Sequence, residues 1–495
     1  MKYFATNSLV SMLNRVEVPV MSLKKFFIDG QWVEPCGTAT GDIVNPATYE
    51  TIGQLAYGDS EDADRAVMAA RRAFQSFSQT PLAERISLLQ RIARGMEHRQ
   101  EDIAQAISAE IGVPISYARA GHAAAGPVHI DILCKELETF AFEWMQGDTL
   151  VTRVPIGVAA LITPWNVPIN QMVIKFAPAI AAGCTMVLKP SEIAPSNAII
   201  LTEIIEEAGA PAGVFNLVHG DGPGIGSALS SHPEVDMVSF TGSTRAGISV
   251  SQSAAPTIKR VALELGGKSA NILLDDVHLP DAVTKGVRGC FANSGQACSS
   301  PTRMLVPRNM MEAAVRIAAD VANSLRVGDP QSAETDLGPL ANRNQWTRVQ
   351  SFIESGIAEG AALAAGGLGL PNGLETGAYV RPTVFGNVSP DMTIAREEIF
   401  GPVLSIIPYD TIDQAVSIAN DTVYGLAAYV QGKDIARVRA VGRRLRAGRV
   451  HLNYPVIDRT APFGGFKQSG NGREQGKYGL EEFLEYSALI GHGKD

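Results

Sequence analysis

Val158-Ala159-Ala160-Leu161-Ile162-Thr163-Pro164-Trp165-Asn166 opens the stretch that sets the architecture. Five small or aliphatic residues run into a polar cluster, as a fully buried strand does when it ends at a working edge. Pro168 to Gly183 then reads as a helix closed by its glycine. Met186 to Leu188 is the next strand, followed by Lys189-Pro190-Ser191-Glu192. Ser196 reads as the cap of a helix that runs to Ala208 and closes at Gly209. Strands follow at Val214–Val218, Met237–Phe240 and Val261–Leu265, separated by a short helix at Gly224–Ser231 and another from Thr244. This alternation is the signature of a doubly wound parallel sheet, which binds ligands beyond the carboxyl ends of its strands.

On the amino-terminal side, Phe26 to Val33 reads as a hairpin turning at Asp29-Gly30. Three helices are expected from Ser60 to Ile111, ending near Phe77, beginning near Leu82, and running from Gln100. Val128 to Trp144 reads as one more helix with Pro127 at its start, and Thr149–Val154 as an exposed strand. The second half alternates less regularly. Helices are expected at Pro280–Ala292, Met310–Leu325, Asn344–Glu359, Thr411–Asn420 and Asp434–Ala447. Strands are expected at Met304–Val306, Val403–Ile407, Ala427–Val430 and Val450–Leu452. The tail Phe483–Ile490 reads as an edge strand seeking a partner.

Composition narrows the function. The 495 residues are 45% hydrophobic and 19% charged, enough for two or three ordinary globular domains. A net charge of −9 argues against a nucleic-acid surface. The dense basic run Arg437–Arg449 has helical spacing and reads as a solvated helix face or a subunit contact. Five cysteines, an odd number with no Cys-x-x-Cys pair, argue for a reducing compartment, the cytoplasm, and against a disulfide framework or zinc site. No metal is expected. Asn7, Asn14, Arg15 and Glu17 break the apolar run of a signal peptide, and residues 1–20, which precede Met21 and the first strand-like run, read as a loose extension. No apolar run is long enough to span a membrane.

Chemistry gathers at the strand ends. Thr241-Gly242-Ser243-Thr244 places hydroxyls and a glycine at a helix start, where backbone N–H groups and the helix dipole suit a pyrophosphate. Gly220-Asp221-Gly222-Pro223-Gly224 lacks the spacing of a dinucleotide fingerprint. Lys189 and Glu192, three apart, can flank one ligand or simply pair at the surface. Cys298 lies between Gly295 and Pro301 among small and polar residues, the setting of a reactive thiolate or of a small residue filling a tight loop.

Together these residues resemble the aldehyde dehydrogenase superfamily. Glu264-Leu265-Gly266-Gly267-Lys268 and Gly295-Gln296-Ala297-Cys298 are similar to its two signature motifs. Trp165-Asn166, Lys189-Pro190-Ser191-Glu192, Phe240-Thr241-Gly242-Ser243, Glu397-Glu398-Ile399-Phe400-Gly401-Pro402 and Pro462-Phe463-Gly464-Gly465 match in the family's order. The resemblance runs from about Phe27 to Ile490.

The resemblance implies an α/β protein with a doubly wound Rossmann-like cofactor domain at 21–136 and 156–265 and an α/β catalytic domain at 266–467. It also implies a small β oligomerisation element at 137–155 and 470–495, with Thr149–Val154 and the tail strand paired to a neighbouring subunit in a homodimer or homotetramer. Cys298 is implied as nucleophile, Asn166 with the Cys298 N–H as oxyanion hole, Glu264 as general base, and Lys175 and Glu474 as a proton relay. NAD would be held by Ile162, Trp165, Lys189, Ser191, Glu192, Gly222, Phe240, Gly242, Ser243, Leu265, Glu398 and Phe400. Glu192 suits a free 2′-hydroxyl, favouring NAD over NADP, although NADP use is compatible with the family. The substrate channel would be lined by Val167, Asn170, Gln171, Ile174, Ala297, Ser299, Ile457, Arg459 and Phe463. The lack of large aromatics at Val167 and Ile174 implies a wide, polar tunnel for an aromatic aldehyde or a semialdehyde. Arg459 reads as a solvated residue at the mouth or as a carboxylate partner whose charge Asp458 offsets. The alternatives are a CoA-acylating relative, disfavoured by Glu264, and a non-catalytic binding protein, disfavoured by the presence of both Cys298 and Glu264.

Overall fold

The structure is a computed structural model that describes residues 22–494. The expected extension at 1–20 lies outside the described residues.

Val158–Ile162, Thr185–Lys189 and Met237–Thr241 bury every residue. Strands covered on both faces read as unbroken apolar runs. Their alternate side chains feed different layers. Ala159 and Leu161 join the core beneath Phe176 and Met186, while Val158, Ala160 and Ile162 join the one around Val67 and Val238. The eight-stranded sheet runs Gly470–Asn471, Arg260–Glu264, Met237–Thr241, Val158–Ile162, Thr185–Lys189, Phe215–Leu217, Phe26–Ile28, Gln31–Val33. Its five central strands are parallel, and the outer members are antiparallel. Register sets the site: Thr241 lies opposite Glu264, Phe240 opposite Ile162, and Ile162 opposite Lys189.

A seven-stranded sheet forms the second body. Its order is Ala362–Ala365, Thr383–Gly386, Val403–Tyr409, Arg303–Pro307, Ala270–Leu273, Ala427–Gln431, Arg449–Leu452. It too is sandwiched between two apolar layers. The sequence reading missed Ala270–Leu273, Thr383–Gly386, and the pair Thr40–Val44 and Thr51–Ala56. Each is short, and Ala270–Leu273 gains its strand character from neighbours on both sides.

Three expectations are corrected. The helix expected at Val128–Trp144 spans Ala125–Leu137, and Glu143–Gln146 is a strand. Gly147 at φ +61° makes a two-residue turn with Asp148, pairing Gln146 with Thr149. Trp144 then stacks on the Arg153 guanidinium, 5.1 Å from its ring centre. Thr149–Pro155 also pairs with Leu484–Ile490 within the chain, Leu484 opposite Pro155 and Ile490 opposite Thr149, which leaves the other edge of the tail strand without a partner among the described residues. Ser196 does not cap its helix with its side chain; Pro195 precedes the helix, and the buried Glu110 carboxylate takes the Ser196 N–H at 3.1 Å. The helix expected at Asp434–Ala447 stops at Gly442, with Asp434 as its cap.

Candidate active site

Glu264 ends its strand 4% exposed, and neither carboxylate oxygen has a partner. Burial, then the Glu474 charge, holds its carboxyl well above the usual range, with Lys175 and Arg473 opposing. Behind it lies a small cavity lined by Ile174, Lys175, Ser239, Arg473 and Glu474 among others, with room for about one water. Lys175 Nζ donates to Ser239 Oγ at 3.0 Å and to Glu474 Oε1, both contacts buried. Thr163 and Thr241, at the ends of the neighbouring strands, also bury unpartnered hydroxyls. Buried polar groups are ordinarily satisfied, so three orphans on one sheet edge mark a place built to receive something.

The Cys298 loop is bent against this edge. Asn293, Ser294 and Gly295 take φ of +55°, +53° and +73° in succession. A Cβ on Gly295 would lie 2.2 Å from the Gly401 carbonyl, so glycine is required by space as well as by φ. Asn166 Nδ2 donates to the Gln296 carbonyl at 3.1 Å, and Asn293 Nδ2 to the Asn166 carbonyl at 2.9 Å. Gln296 Oε1 takes the Ala341 N–H at 3.0 Å. The second Asn166 amide hydrogen meets no acceptor among the described residues, and the Cys298 N–H points at its own thiol. Tyr429 donates its hydroxyl to the Ser299 carbonyl at 3.1 Å, with its ring stacked between His451 and Tyr454. Cys298 is partly exposed. Burial of its thiol, then the charges of Glu398, Glu264 and Glu474, push its pKa up.

The glycines of Gly266-Gly267 join the two motifs. A Cβ on Gly266 would lie 2.3 Å from Glu398 Oε2, and one on Gly267 2.3 Å from the Cys298 carbonyl. The Gly267 N–H donates to Glu398 Oε1 at 2.9 Å. Burial lifts the Glu398 carboxyl to about 6.

Along the sheet edge, Ser243 caps the helix Thr244–Ala254, its hydroxyl accepting from Ala246 N–H at 3.3 Å. Phe240 packs under Gly242, and Leu265 against Gly247. Ile162 and Ser191 are buried nearby. Lys189, 3% exposed, reaches Glu192 Oε2 at 3.3 Å and the Pro190 carbonyl at 3.1 Å. Asp221 is close enough to raise the Lys189 pKa against the lowering by burial, which puts the exposed Gly222 turn on the same rim. Trp165 and Phe400 meet edge to face at 5.5 Å, closing the groove between the two bodies. A helix N-terminus, an ion pair that spares donors, and unpartnered hydroxyls fit a dinucleotide.

Of the channel residues, Val167, Asn170, Ala297, Ser299 and Phe463 are half-buried, Ile457 is 56% exposed, and Gln171 is buried with its Oε1 unpartnered. Phe463 bridges to Glu474 beneath Arg449. Ile174 lines the cavity behind Glu264. Arg459 is half-buried, and its Nη1 lies 3.0 Å from His129 Nε2. Asp458 does not pair with it, its Oδ1 accepting instead from the Thr460 N–H and hydroxyl at 2.9 and 2.6 Å. The sequence reading gave no role to His129, Asn293 or Tyr429, and named Gln296 only as a member of the Cys298 motif. His129 and Tyr429 come from a distant helix and the far sheet, and no local pattern links them to Cys298.

A doubly wound sheet with polar groups at its carboxyl edge and a helix N-terminus beside them belongs to the nucleotide-binding oxidoreductase architecture. The family model for the aldehyde dehydrogenase family matches residues 32–489. A 3-succinoylsemialdehyde-pyridine dehydrogenase of a Pseudomonas species is 53% identical over 470 residues, covering 95% of this chain and 98% of its own. Aldehyde dehydrogenase C of Pseudomonas syringae, a cysteine-to-alanine mutant crystallised with NAD+ and octanal, matches with TM-score 0.95 at 52% identity, over 96% of this chain and 98% of that one. Betaine aldehyde dehydrogenase of Staphylococcus aureus, with NAD+ and a BME-modified cysteine, matches with TM-score 0.93 at 35% identity, over 97% and 98%. The chain belongs to the aldehyde dehydrogenase family. It is an oxidoreductase that oxidises aldehydes with NAD. Among the described residues no helix is long and apolar enough to cross a membrane.

Proposed function

We propose that Cys298 attacks the aldehyde carbon to form a thiohemiacetal, that oxidation leaves a thioester on Cys298, and that water activated by Glu264 releases the acid. The observation that carries this reading is Glu264 itself: a buried carboxyl with two unpartnered oxygens, near enough for its charge to be felt at the Cys298 thiol. The second Asn166 amide hydrogen and the Cys298 N–H hold the oxyanion. Lys175 and Glu474 pass the proton taken by Glu264 away from the site. NAD, when bound, accepts the hydride. Ser243 and Gly242 take its pyrophosphate, with Gly222 on the same rim. Lys189, Ser191 and Glu192 take the adenosine ribose, and Glu398 the nicotinamide ribose. Ile162, Trp165, Phe240, Leu265 and Phe400 line the groove.

The substrate is an aromatic aldehyde or a semialdehyde. Support comes from the half-buried, non-aromatic walls at Val167 and Asn170, and from the relative named for a pyridine-bearing semialdehyde. The test is product chemistry. With NAD, aldehyde and no coenzyme A, the enzyme releases free acid and NADH in equal amounts. A requirement for coenzyme A would replace this reading with the acylating one.

Residues 21–136 and 156–265 act as the cofactor domain, 266–467 as the catalytic domain, and 137–155 with 470–495 as the oligomerisation element, in a cytoplasmic homodimer or homotetramer. The strand Leu484–Ile490 supports this: among the described residues it pairs on one edge only, with Tyr486 62% and Ile490 87% exposed. For the cofactor, Glu192→Thr is expected to raise the NADP to NAD ratio of kcat/KM by about 10- to 100-fold, by removing a carboxylate that repels a 2′-phosphate. An unchanged ratio removes Glu192 from cofactor choice.

A further inference from the structure

We propose that Arg459 is the specificity-determining residue that receives a carboxylate at the far end of the aldehyde substrate. This rests on the reading of the tunnel as a semialdehyde channel. Arg459 follows the Arg449–Leu452 strand, on the same loop as the exposed Val456 and Ile457. Its Nη1 meets His129 Nε2 at 3.0 Å. His129 is 6% exposed on the helix Ala125–Leu137. Burial, then the Arg459 charge, lowers its pKa to about 4, with an Asn170 hydrogen bond opposing. The ring is therefore neutral at pH 7 and serves as an acceptor, orienting the guanidinium without cancelling its charge. Asn170 ties the pair to the channel helix Pro168–Ala182.

Nothing else supplies the missing charge. Arg459 forms no ion pair among the described residues, and Asp458 is held by Thr460. A second guanidinium, Arg449, lies close enough for the two to repel. Arg449 donates to the carbonyls of Ala461 and Pro462 and to Gln475 Oε1, and its Nε is buried without an acceptor. Asp458 and Glu264 are the carboxylates that act on Arg449 from around it. A half-buried guanidinium costs stability until an anion completes it. Its planar fork offers two parallel N–H groups, which a carboxylate can accept with both oxygens at once.

The test uses the full chain with NAD and two aldehydes of equal length, one ending in a carboxylate and one in its methyl ester. Wild type is expected to favour the carboxylate. Arg459→Met should lower the carboxylate-to-ester ratio of kcat/KM by about 10- to 100-fold, chiefly through KM, as loss of a charge-assisted hydrogen-bonded pair does. Arg459→Lys should recover part of the ratio, and Arg459→Gln should behave as the methionine variant. Melting temperatures of all three verify the fold. A ratio that does not move in either neutral variant overturns the proposal and leaves the dehydrogenase reading standing. If wild type reduces NAD with neither aldehyde, the semialdehyde-channel reading falls, and the proposal with it.

Discussion

Glu264→Gln is expected to give a rapid burst of about one NADH per active site and then almost no turnover. Cys298 still attacks, its thiol proton passing to the carbonyl oxygen as the thiohemiacetal forms, and the aldehyde is still oxidised, because Glu264 is required only to activate water. The thioester then waits for water that nothing activates. Glutamine keeps the shape of the buried side chain but cannot take a proton. Steady-state turnover should fall by about 10²- to 10⁴-fold, the usual contribution of a positioned general base. Mass spectrometry of the quenched enzyme should find the acyl group on Cys298. The pH dependence has a definite sign. Burial and Glu474 raise the Glu264 carboxyl, so it loses its proton only above the ordinary glutamate range. Deacylation by wild type should therefore fall as pH drops through that raised value, and the variant should lose this limb. A variant with no burst, or one that turns over at the wild-type rate, sinks the assignment.

Cys298→Ser is expected to abolish both the burst and the turnover, with a loss on the order of 10⁵-fold or more, as when a covalent nucleophile is removed. NAD should still bind, because the groove from Lys189 to Ser243 is built from other elements. Titration of the variant with NAD separates this outcome from misfolding. The same thiol explains a second expectation. Burial, then the Glu398, Glu264 and Glu474 charges, disfavours the thiolate in the resting protein. Iodoacetamide at neutral pH should then label Cys298 slowly, and faster as pH rises. Peptide mapping distinguishes it from the exposed Cys36. If Cys298→Ser retained aldehyde-dependent NADH formation, the covalent route would be wrong.

The central parallel strands were legible because burial on both faces leaves an unbroken aliphatic run, and the helices between them because one face repeats with helical period. The polar clusters at their ends were legible for the same reason: a strand that stops at Thr163, Lys189, Thr241 or Glu264 announces its edge. The misses share a cause. Ala270–Leu273 is a strand because its neighbours bond it on both sides. The break after Leu137 is set by a hairpin whose partner strand pairs with the tail of the chain.

The sequence by itself determined the alternation, the chemistry-bearing residue types and their order, because these depend on spacing along one strand or helix. Only the tertiary structure decided which groups are left without partners. Glu264 is unpaired because the sheet buries it beside Glu474, a residue from the far end of the chain. Arg459 has no carboxylate partner among the described residues because His129 faces it and Asp458 accepts from Thr460. Satisfaction of a polar group is a property of the space around it, and that space is assembled from residues hundreds of positions apart.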